Sequence, residues 1–246
     1  MCIRDRIIES YAGVGEGVSL TNAVSEFDLG EGAVVDHVKI QRESLASFHV
    51  AGTFVRLRRS STFTSQAVTF GGRIARNDIH ALLDGEGAEC TLNGLYLADG
   101  DSLVDTHTTI DHAKPHCPSH EVYKGILAGR SRAVFNGKII VRQDAQKTDA
   151  KQTNKAMLLS GDATINTKPQ LEIFADDVKC THGAAIGQLD DDQLFYLRAR
   201  GIGEIDARSI LIHAFAAQVV EGIKTDAVRE RVMQVMEDKL QIAHQV

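Results

Sequence analysis

Tryptophan is absent from this chain of 246 residues, proline occurs only three times, and aromatic residues make up 5%. Glycine, in contrast, occurs 21 times. A chain rich in glycine and poor in proline favours a fold with many tight turns and regular apolar layers. The length is enough for one large domain, or for one domain with an appendage.

Several motifs that would indicate catalysis or metal binding are also missing. The chain has no CxxC pair, so neither a zinc knuckle nor a disulfide framework is indicated. We interpret its scattered cysteines as reduced thiols of an intracellular protein. It has no GxxxxGK[ST] loop and should not hydrolyse ATP by itself, and it has no GxSxG elbow. The four cysteines are Cys2, Cys90, Cys117 and Cys180.

No apolar run is long enough to span a membrane, and the start of the chain lacks the apolar segment of a secretory signal. The net charge is −6, and the only dense basic cluster is "RLRR" at Arg56–Arg59. In an alternating strand these charges would face solvent, so we predict no nucleic-acid or membrane partner. We expect residues 1–6, "MCIRDR", to be foreign to the natural protein, and the chain to lack its N-terminal region.

A short pattern recurs along the first two thirds of the chain: a glycine, a polar residue, a small residue and then an apolar strand. Glycine permits positive φ, so each copy predicts a corner. Short alternating strands without intervening helices indicate an all-β solenoid, sandwich or barrel, and the self-similarity favours the solenoid over the sandwich. The copies begin at Gly15, Gly30, Gly85, Gly100, Gly129 and Gly161.

The pattern becomes helical after Gly187. "DDDQLFYLRAR" has an Asp-rich first turn, which favours a helix start and explains Asp190–Asp192 as capping residues, and Gly201 is a plausible stop. Two longer helical segments follow. We therefore predict a β core over residues 1–187 and a helical domain over 188–246, which caps the core or docks a partner. One apolar helix face is predicted to carry Val228, Val232, Val235, Met236 and Leu240.

Cys180 and His182 are two positions apart, so in a strand their side chains share one face. A thiolate and an imidazole together suit iron, zinc or copper. Two ligands are too few for a closed site, so other ligands would have to come from elsewhere in the chain or from another subunit. The alternative is a buried thiol beside a strand-end histidine.

A second concentration of candidate ligands precedes these residues, but its spacing matches no standard zinc motif. Metal ligation and hydrogen bonding between neighbouring coils both remain open for it. The residues are His107, His112, His116, Cys117 and His120.

Longer stretches of the sequence resemble the SufB/SufD family of iron–sulfur cluster assembly proteins. The likeness runs from about Gly15 to the C-terminus and is carried by "HAKPHCPSHEVYKGIL", "KCTHGAAIG" and "YLRARGI". Gly183 follows the histidine where the SufB branch typically has an acidic residue. The sequence is therefore more similar to the SufD branch.

The resemblance implies a right-handed parallel β-helix followed by a small helical region, in a non-catalytic scaffold subunit. It implies SufB as the partner, with a homodimer when SufB is absent, and the ATPase SufC docked on the C-terminal helices. Cys180 and His182 match family positions at the SufB–SufD interface, where they would help to hold a transient iron–sulfur cluster. The expected location is the cytoplasm, or a plastid if the natural N-terminus carried a transit peptide.

Three alternatives accompany this interpretation. One is a SufB-like scaffold that ligates the cluster within one chain. The others are β-helical enzymes, either a polysaccharide lyase or a hexapeptide acyltransferase. A lyase should carry an export signal and an acidic calcium groove, and an acyltransferase should show strict six-residue periods, which this sequence lacks.

Overall fold

The computed structural model describes residues 4–13, 15 and 17–243, with side chains to residue 239. Cys2 and half of the "MCIRDR" segment lie outside the described residues. The strands are β1 Arg4–Ala12, β2 Leu20–Leu29, β3 Val34–Arg42, β4 Phe48–Leu57, β5 Thr62–Thr69, β6 Ile74–Leu83, β7 Glu89–Ala98, β8 Leu103–His112, β9 Pro118–Leu127, β10 Arg132–Val141, β11 Asp149–Leu158, β12 Thr164–Ile173 and β13 Lys179–Gly187. The helices are α1 Asp191–Arg198, α2 Glu204–Val220 and α3 Asp226–Ala243.

The strands form two parallel sheets that wind as a solenoid. The odd-numbered strands make a seven-stranded sheet from β1 to β13, and the even-numbered strands make a six-stranded sheet from β2 to β12. Every strand pairs in parallel with the strand two positions away in the chain. The predicted β-solenoid with a C-terminal helical region is confirmed, and the alternative of a sandwich is wrong.

Alternation along each strand separates a lumen face from an outer face. β8 alternates strictly between buried and partly buried residues. Large apolar side chains fill the lumen, including Phe63, Leu92 and Phe135. Inward glycines make room for large neighbours: a Cβ on Gly125 would lie 2.3 Å from the Tyr96 ring. The lumen is therefore packed like an ordinary protein interior.

One corner of the solenoid is built the same way in successive coils. A residue with positive φ occupies it at Gly32, Ser60, Gly87, His116 and Lys147. Each donates its backbone N–H to a carbonyl of the next coil, with N···O distances of 2.7–3.3 Å.

The glycine-corner prediction is thus partly confirmed. Gly15, Gly100 and Gly129 have positive φ. In the copies at Gly30 and Gly85 the left-handed residue is instead the second glycine of the motif. Gly161 is outside the left-handed region.

Helices α2 and α3 lie against the outer face of the seven-stranded sheet. Ile212 of α2 and Val232 and Met236 of α3 are fully buried in one cluster with strand residues such as Val38 and Leu95. Lys124 of β9 donates to the Phe215 carbonyl at 2.7 Å, which ties α2 to the sheet. Burial of each large aliphatic side chain contributes about 1.5–3 kcal/mol, so this cluster holds the helices firmly.

The predicted helix signals are confirmed at both ends of the helical region. Asp190 is the N-cap of α1 and accepts hydrogen bonds from the backbone N–H groups of Asp192 and Gln193. Val228, Val232, Val235 and Met236 all pack in the cluster under α3, whereas the side chain of Leu240 lies outside those described. The chain passes from β13 to α1 between Gly187 and Asp191.

The division into two domains at residue 187 stays a prediction, as does the foreign origin of residues 1–6. Arg4–Arg6 pair in register with Val34–Asp36. None of the described helices is long and apolar enough to cross a membrane.

The basic cluster faces solvent, as predicted. Arg56 pairs with Asp84, Arg58 with Asp28, and Arg59 with Glu31, each joining neighbouring coils. These exposed pairs contribute at most about 1 kcal/mol each. Their partners are carboxylates of the same chain, so the cluster is accounted for without a ligand.

The glycine packing gives a direct stability prediction. Gly125→Ala should lower the free energy of unfolding by about 1–3 kcal/mol, because its Cβ would overlap the buried Tyr96 ring. Gly187→Ala is the matched control, since a Cβ there has no neighbour within 4 Å. Urea unfolding midpoints test this, and equal midpoints for the two variants would contradict it.

Candidate functional site

The last coil of the solenoid is open. Among the residues that the structure describes, β12 pairs only with β10 and β13 pairs only with β11, so each presents one unpaired backbone edge. Three large apolar side chains are exposed around these edges: Ile173, Phe174 and Ile186. Unpaired strand edges beside exposed apolar groups are typical of a surface that binds another chain.

Cys180 and His182 lie on this terminal coil, on the side that continues the lumen. Cys180 is in register with Ala150, and His182 is in register with Gln152, both of which are buried in the coil behind. Cys180 is half-buried against the lumen core, whereas His182 is exposed. The structure therefore brings the two predicted residues together at the rim of the lumen, within reach of a partner chain.

The surroundings of Cys180 keep its thiol protonated at neutral pH. Burial raises the pKa of Cys180, and the charge of Asp149 adds to this increase, while a backbone hydrogen bond from Ala150 opposes it. A thiolate forms here only when a cation or a base is supplied. In the described part of the chain, the site therefore consists of two candidate ligands, a thiol and an imidazole, which do not make a complete metal site.

The second concentration of histidines does not converge on one point. His112 is buried in the lumen, where its Nε2 lies 3.0 Å from the Ser119 hydroxyl and burial lowers its pKa to about 4. His107 faces outward, with its Nε2 3.0 Å from an oxygen of Asp105. His116 is a corner residue, and Cys117 is buried with its Sγ 3.2 Å from the Gly85 carbonyl.

His120 lies on the outward side of β9, opposite the lumen residue Ser119. Within the described part of the chain, no group of three or more His, Cys, Asp or Glu side chains could hold a metal ion. The hydrogen bond of His112 with Ser119 joins the end of β8 to the start of β9 rather than two stacked coils, so the role of these histidines stays a prediction.

Polar residues inside the lumen are the feature that sequence reasoning missed. In the first coils, the buried Lys39 donates to Asn77 at 2.6 Å, and the buried His49 lies 2.8 Å from a Glu43 oxygen. Burial lowers the pKa of Lys39 to about 8. Contact with His37 lowers the pKa of Glu9 to about 2. Local alternation in β3 gave no signal for this, because its apolar residues Val38 and Ile40 face the helices while Lys39 faces the lumen.

These geometries define a class of protein: a parallel β-solenoid whose last coil is an open edge carrying a thiol and an imidazole. The sequence profile of the SUF system FeS cluster assembly SufBD core domain matches residues 5–215. The chain belongs to the SufB/SufD family.

Its relatives place it near the SufD branch. It is 37% identical to the iron–sulfur cluster assembly protein SufD of Escherichia coli over 92% of this chain and 54% of that protein. It is 38% identical to a SufBD family protein of Synechocystis, over 93% of this chain and 52% of the relative. A chloroplastic Arabidopsis thaliana protein, ABCI7, is also 38% identical over 92% of this chain and 48% of its own length.

The chain thus spans about half the length of the curated relatives it matches. The predicted resemblance is confirmed, and within the family the chain is SufD-like. The two hypotheses of a β-helical enzyme gain no support from these comparisons.

The exposure of the terminal coil predicts the order of thiol reactivity. A brief treatment with iodoacetamide should modify Cys180 at least about tenfold faster than Cys90 or Cys117, because those two thiols need local opening to react. Since the pKa of Cys180 is raised, its rate should keep increasing above pH 9. Peptide mass spectrometry measures both effects, with Cys180→Ser as the control. Equal rates at the three cysteines would contradict the placement.

Proposed function

We propose that the chain is the core of a SufD-like scaffold subunit for iron–sulfur cluster assembly, without catalytic activity of its own. The open terminal coil carrying Cys180 and His182 is the observation that supports this function most. The cluster is the cargo of the site. His182 is the stronger candidate as a ligand or proton-transfer group, and Cys180 is the second.

The partner in this proposal is SufB, which docks on the terminal coil. Ile173, Phe174 and Ile186 would be buried in the pairing, and the free edges of β12 and β13 would gain hydrogen-bond partners. SufB would supply the ligands that this chain lacks and so complete a site of about four. In the absence of SufB, the same apolar edge would support a homodimer.

A second surface fits the ATPase SufC. A groove of about 390 Å³ lies between α2 and α3, and its lining includes the apolar residues Ala217, Val220 and Met233. The charged residues of its lining are Glu221, Arg229, Glu230 and Glu237. Three carboxylates against one guanidinium make the lining negative on balance, which suits a partner with basic residues around an apolar contact. ATP-driven dimerisation of SufC would then pull on these helices and open the SufB junction.

The names of the relatives bear on the location of the protein. The Escherichia coli relative is bacterial and the Arabidopsis relative is chloroplastic, so we propose the cytoplasm or a plastid. A SufB-like scaffold is the second candidate function. It would require further ligands close to Cys180, and the described residues offer no group of three.

Replacement of His182 tests the assembly site. When co-expressed with SufB and SufC and purified anaerobically, His182→Ala should retain the complex but lose most of its iron and sulfide. The side chain is exposed on an edge strand, so its removal leaves the fold intact. His107→Ala, on the outer face away from the terminal coil, is the matched control. A His182→Ala complex that fills normally would falsify the assignment.

Charge reversal in the helical groove tests SufC docking. Glu230→Lys combined with Glu237→Lys should weaken SufC binding about tenfold or more, because two acidic side chains of the groove become basic. Removal of α2 and α3 is less informative, since it would expose the apolar cluster on the sheet. Calorimetric titration with SufC measures the affinity.

The control for this titration is Glu31→Lys combined with Glu86→Lys, which reverses two exposed charges on the solenoid. SufC affinity that is unchanged by the groove variant, or equally reduced by the control, rules out the groove as the docking surface.

A further inference from the structure

A row of buried polar side chains runs along the lumen to His182. Glu121 of β9, Gln152 of β11 and His182 of β13 occupy the same register position in three successive strands. Neighbouring strands are about 4.8 Å apart, and residues in register point to the same face. The three side chains therefore follow one another along the lumen and end at the open coil.

The inner two members of the row are hydrogen-bonded to each other. Gln152 Nε2 donates to Glu121 Oε2 at 2.7 Å, and both side chains are 1% exposed. The second oxygen of each group is also buried, and among the described residues neither Glu121 Oε1 nor Gln152 Oε1 has a hydrogen-bond partner. Buried polar atoms are rarely left unpaired, because each one costs about 1–3 kcal/mol.

The surroundings of Glu121 favour its neutral form. Burial raises the pKa of Glu121 to about 7, although the nearby Thr108 hydroxyl and the hydrogen bond from Gln152 oppose the increase. A carboxylate can only accept hydrogen bonds, whereas a carboxylic acid can also donate. Thr108 Oγ1 is itself buried without a hydrogen-bond partner in the described part of the chain, and it can accept that O–H. The side chains that face Glu121 are uncharged at neutral pH: Cys90, Leu92, Thr108, Tyr123 and Gln152.

The amide of Gln152 is held in place by its packing. Gly137 faces it across the lumen, and a Cβ on that glycine would lie 2.2 Å from Gln152 Nε2. The absence of a side chain at Gly137 therefore creates the space that the amide fills. With Nε2 committed to Glu121, the amide oxygen is available to a donor in the next coil, where His182 is in register.

We propose that Glu121 and Gln152 form a buried acid–amide pair that positions His182, whose ring N–H donates to the free amide oxygen of Gln152. Such a contact fixes one ring nitrogen as the donor and leaves the lone pair of the other facing the open edge. The value of that lone pair as an iron ligand rests on the proposed function. The positioning itself does not.

The test is nuclear magnetic resonance of the full chain labelled with ¹⁵N-histidine, without iron or SufB. His182→Ala identifies the His182 ring signals. In the wild type these should show one fixed tautomer, and Gln152→Met should convert them to an averaged mixture. Asn154→Leu is the matched control, because Asn154 is a buried inward amide of the same strand whose register partner is Ala184.

Averaged tautomers in the wild type, or identical His182 signals in Gln152→Met, would overturn the proposal. If Gln152→Met does not fold, infrared spectroscopy supplies a second measurement. The wild type should show a protonated carboxyl band at pH 5.5 that Glu121→Gln removes and Glu31→Gln, at an exposed position, retains. A Glu121 carboxyl that is ionised at that pH would equally overturn it.

These measurements separate the two proposals, because they need neither a cluster nor a partner. A complex that assembles no cluster with either variant or wild type would refute the proposed function and leave the positioning of His182 intact. If the proposed function holds, Gln152→Met should lower cluster loading several-fold while it leaves SufB pairing unchanged.

Discussion

The in-register parallel ladder is the constraint on which the rest of this molecule depends. Each strand pairs with the strand two positions away, so the lumen side chains of a coil pack across the lumen and against the coils on either side. β8 and β10, in the middle, have both neighbours and bury their inward residues almost completely. β13 has one neighbour, and all its residues but Cys180 are exposed. The strand pairing that buries the inner coils therefore leaves the terminal coil with an unpaired, exposed surface. A partner chain that pairs with this coil would gain backbone hydrogen bonds and apolar contacts together.

Polar groups in the lumen fall into two kinds that have different consequences. In the first coils, the ammonium group of Lys39 lies near the carboxylates of Glu9 and Glu43, whose charges oppose the effect of burial on its pKa. Closer to the terminal coil, Glu121 meets the amide of Gln152 and no cation, and burial raises its pKa. Burial of a carboxyl group without a nearby cation strongly destabilises its ionised form and has a much smaller effect on its neutral form. The buried charges of the first kind are explained by the opposite charges beside them. The neutral acid near the open edge has no such partner and needs an explanation beyond packing.

Much of the fold could be predicted from local signals, because glycine corners, strand alternation and helix caps each act over a few residues. Asp190 as a helix cap and the solvent-facing Arg56–Arg59 cluster are examples. The corner with positive φ in successive coils shows where local prediction fails. Ser60, His116 and Lys147 adopt positive φ because the stacked coils supply hydrogen bonds, and no local sequence pattern indicates these bonds. The pairing of Glu121 with Gln152 depends on register across 31 residues, and the sequence alone does not set that register. Resemblance predicted Cys180 and His182, but only the ladder shows which residues lie behind them.

The short junction between β13 and α1 would link the two proposed docking surfaces mechanically, the terminal coil for SufB and the helical groove for SufC. Only Gln188, Leu189 and Asp190 separate the site strand from the first helix, and a short connection of this kind transmits displacement rather than absorbing it. Leu189 packs against the same apolar cluster that holds α2 and α3 to the sheet. Arg208 of α2 and Asp191 of α1 line a cleft with Ser160, at the turn that leads into β12. In the proposed complex, a pull on the helices would therefore reach β13 through the three-residue connection, and the turn before β12 through the cleft that the helices share with it. The inner coils, held on both sides by their ladders, would resist the same force, so the SufB junction is where the displacement would appear.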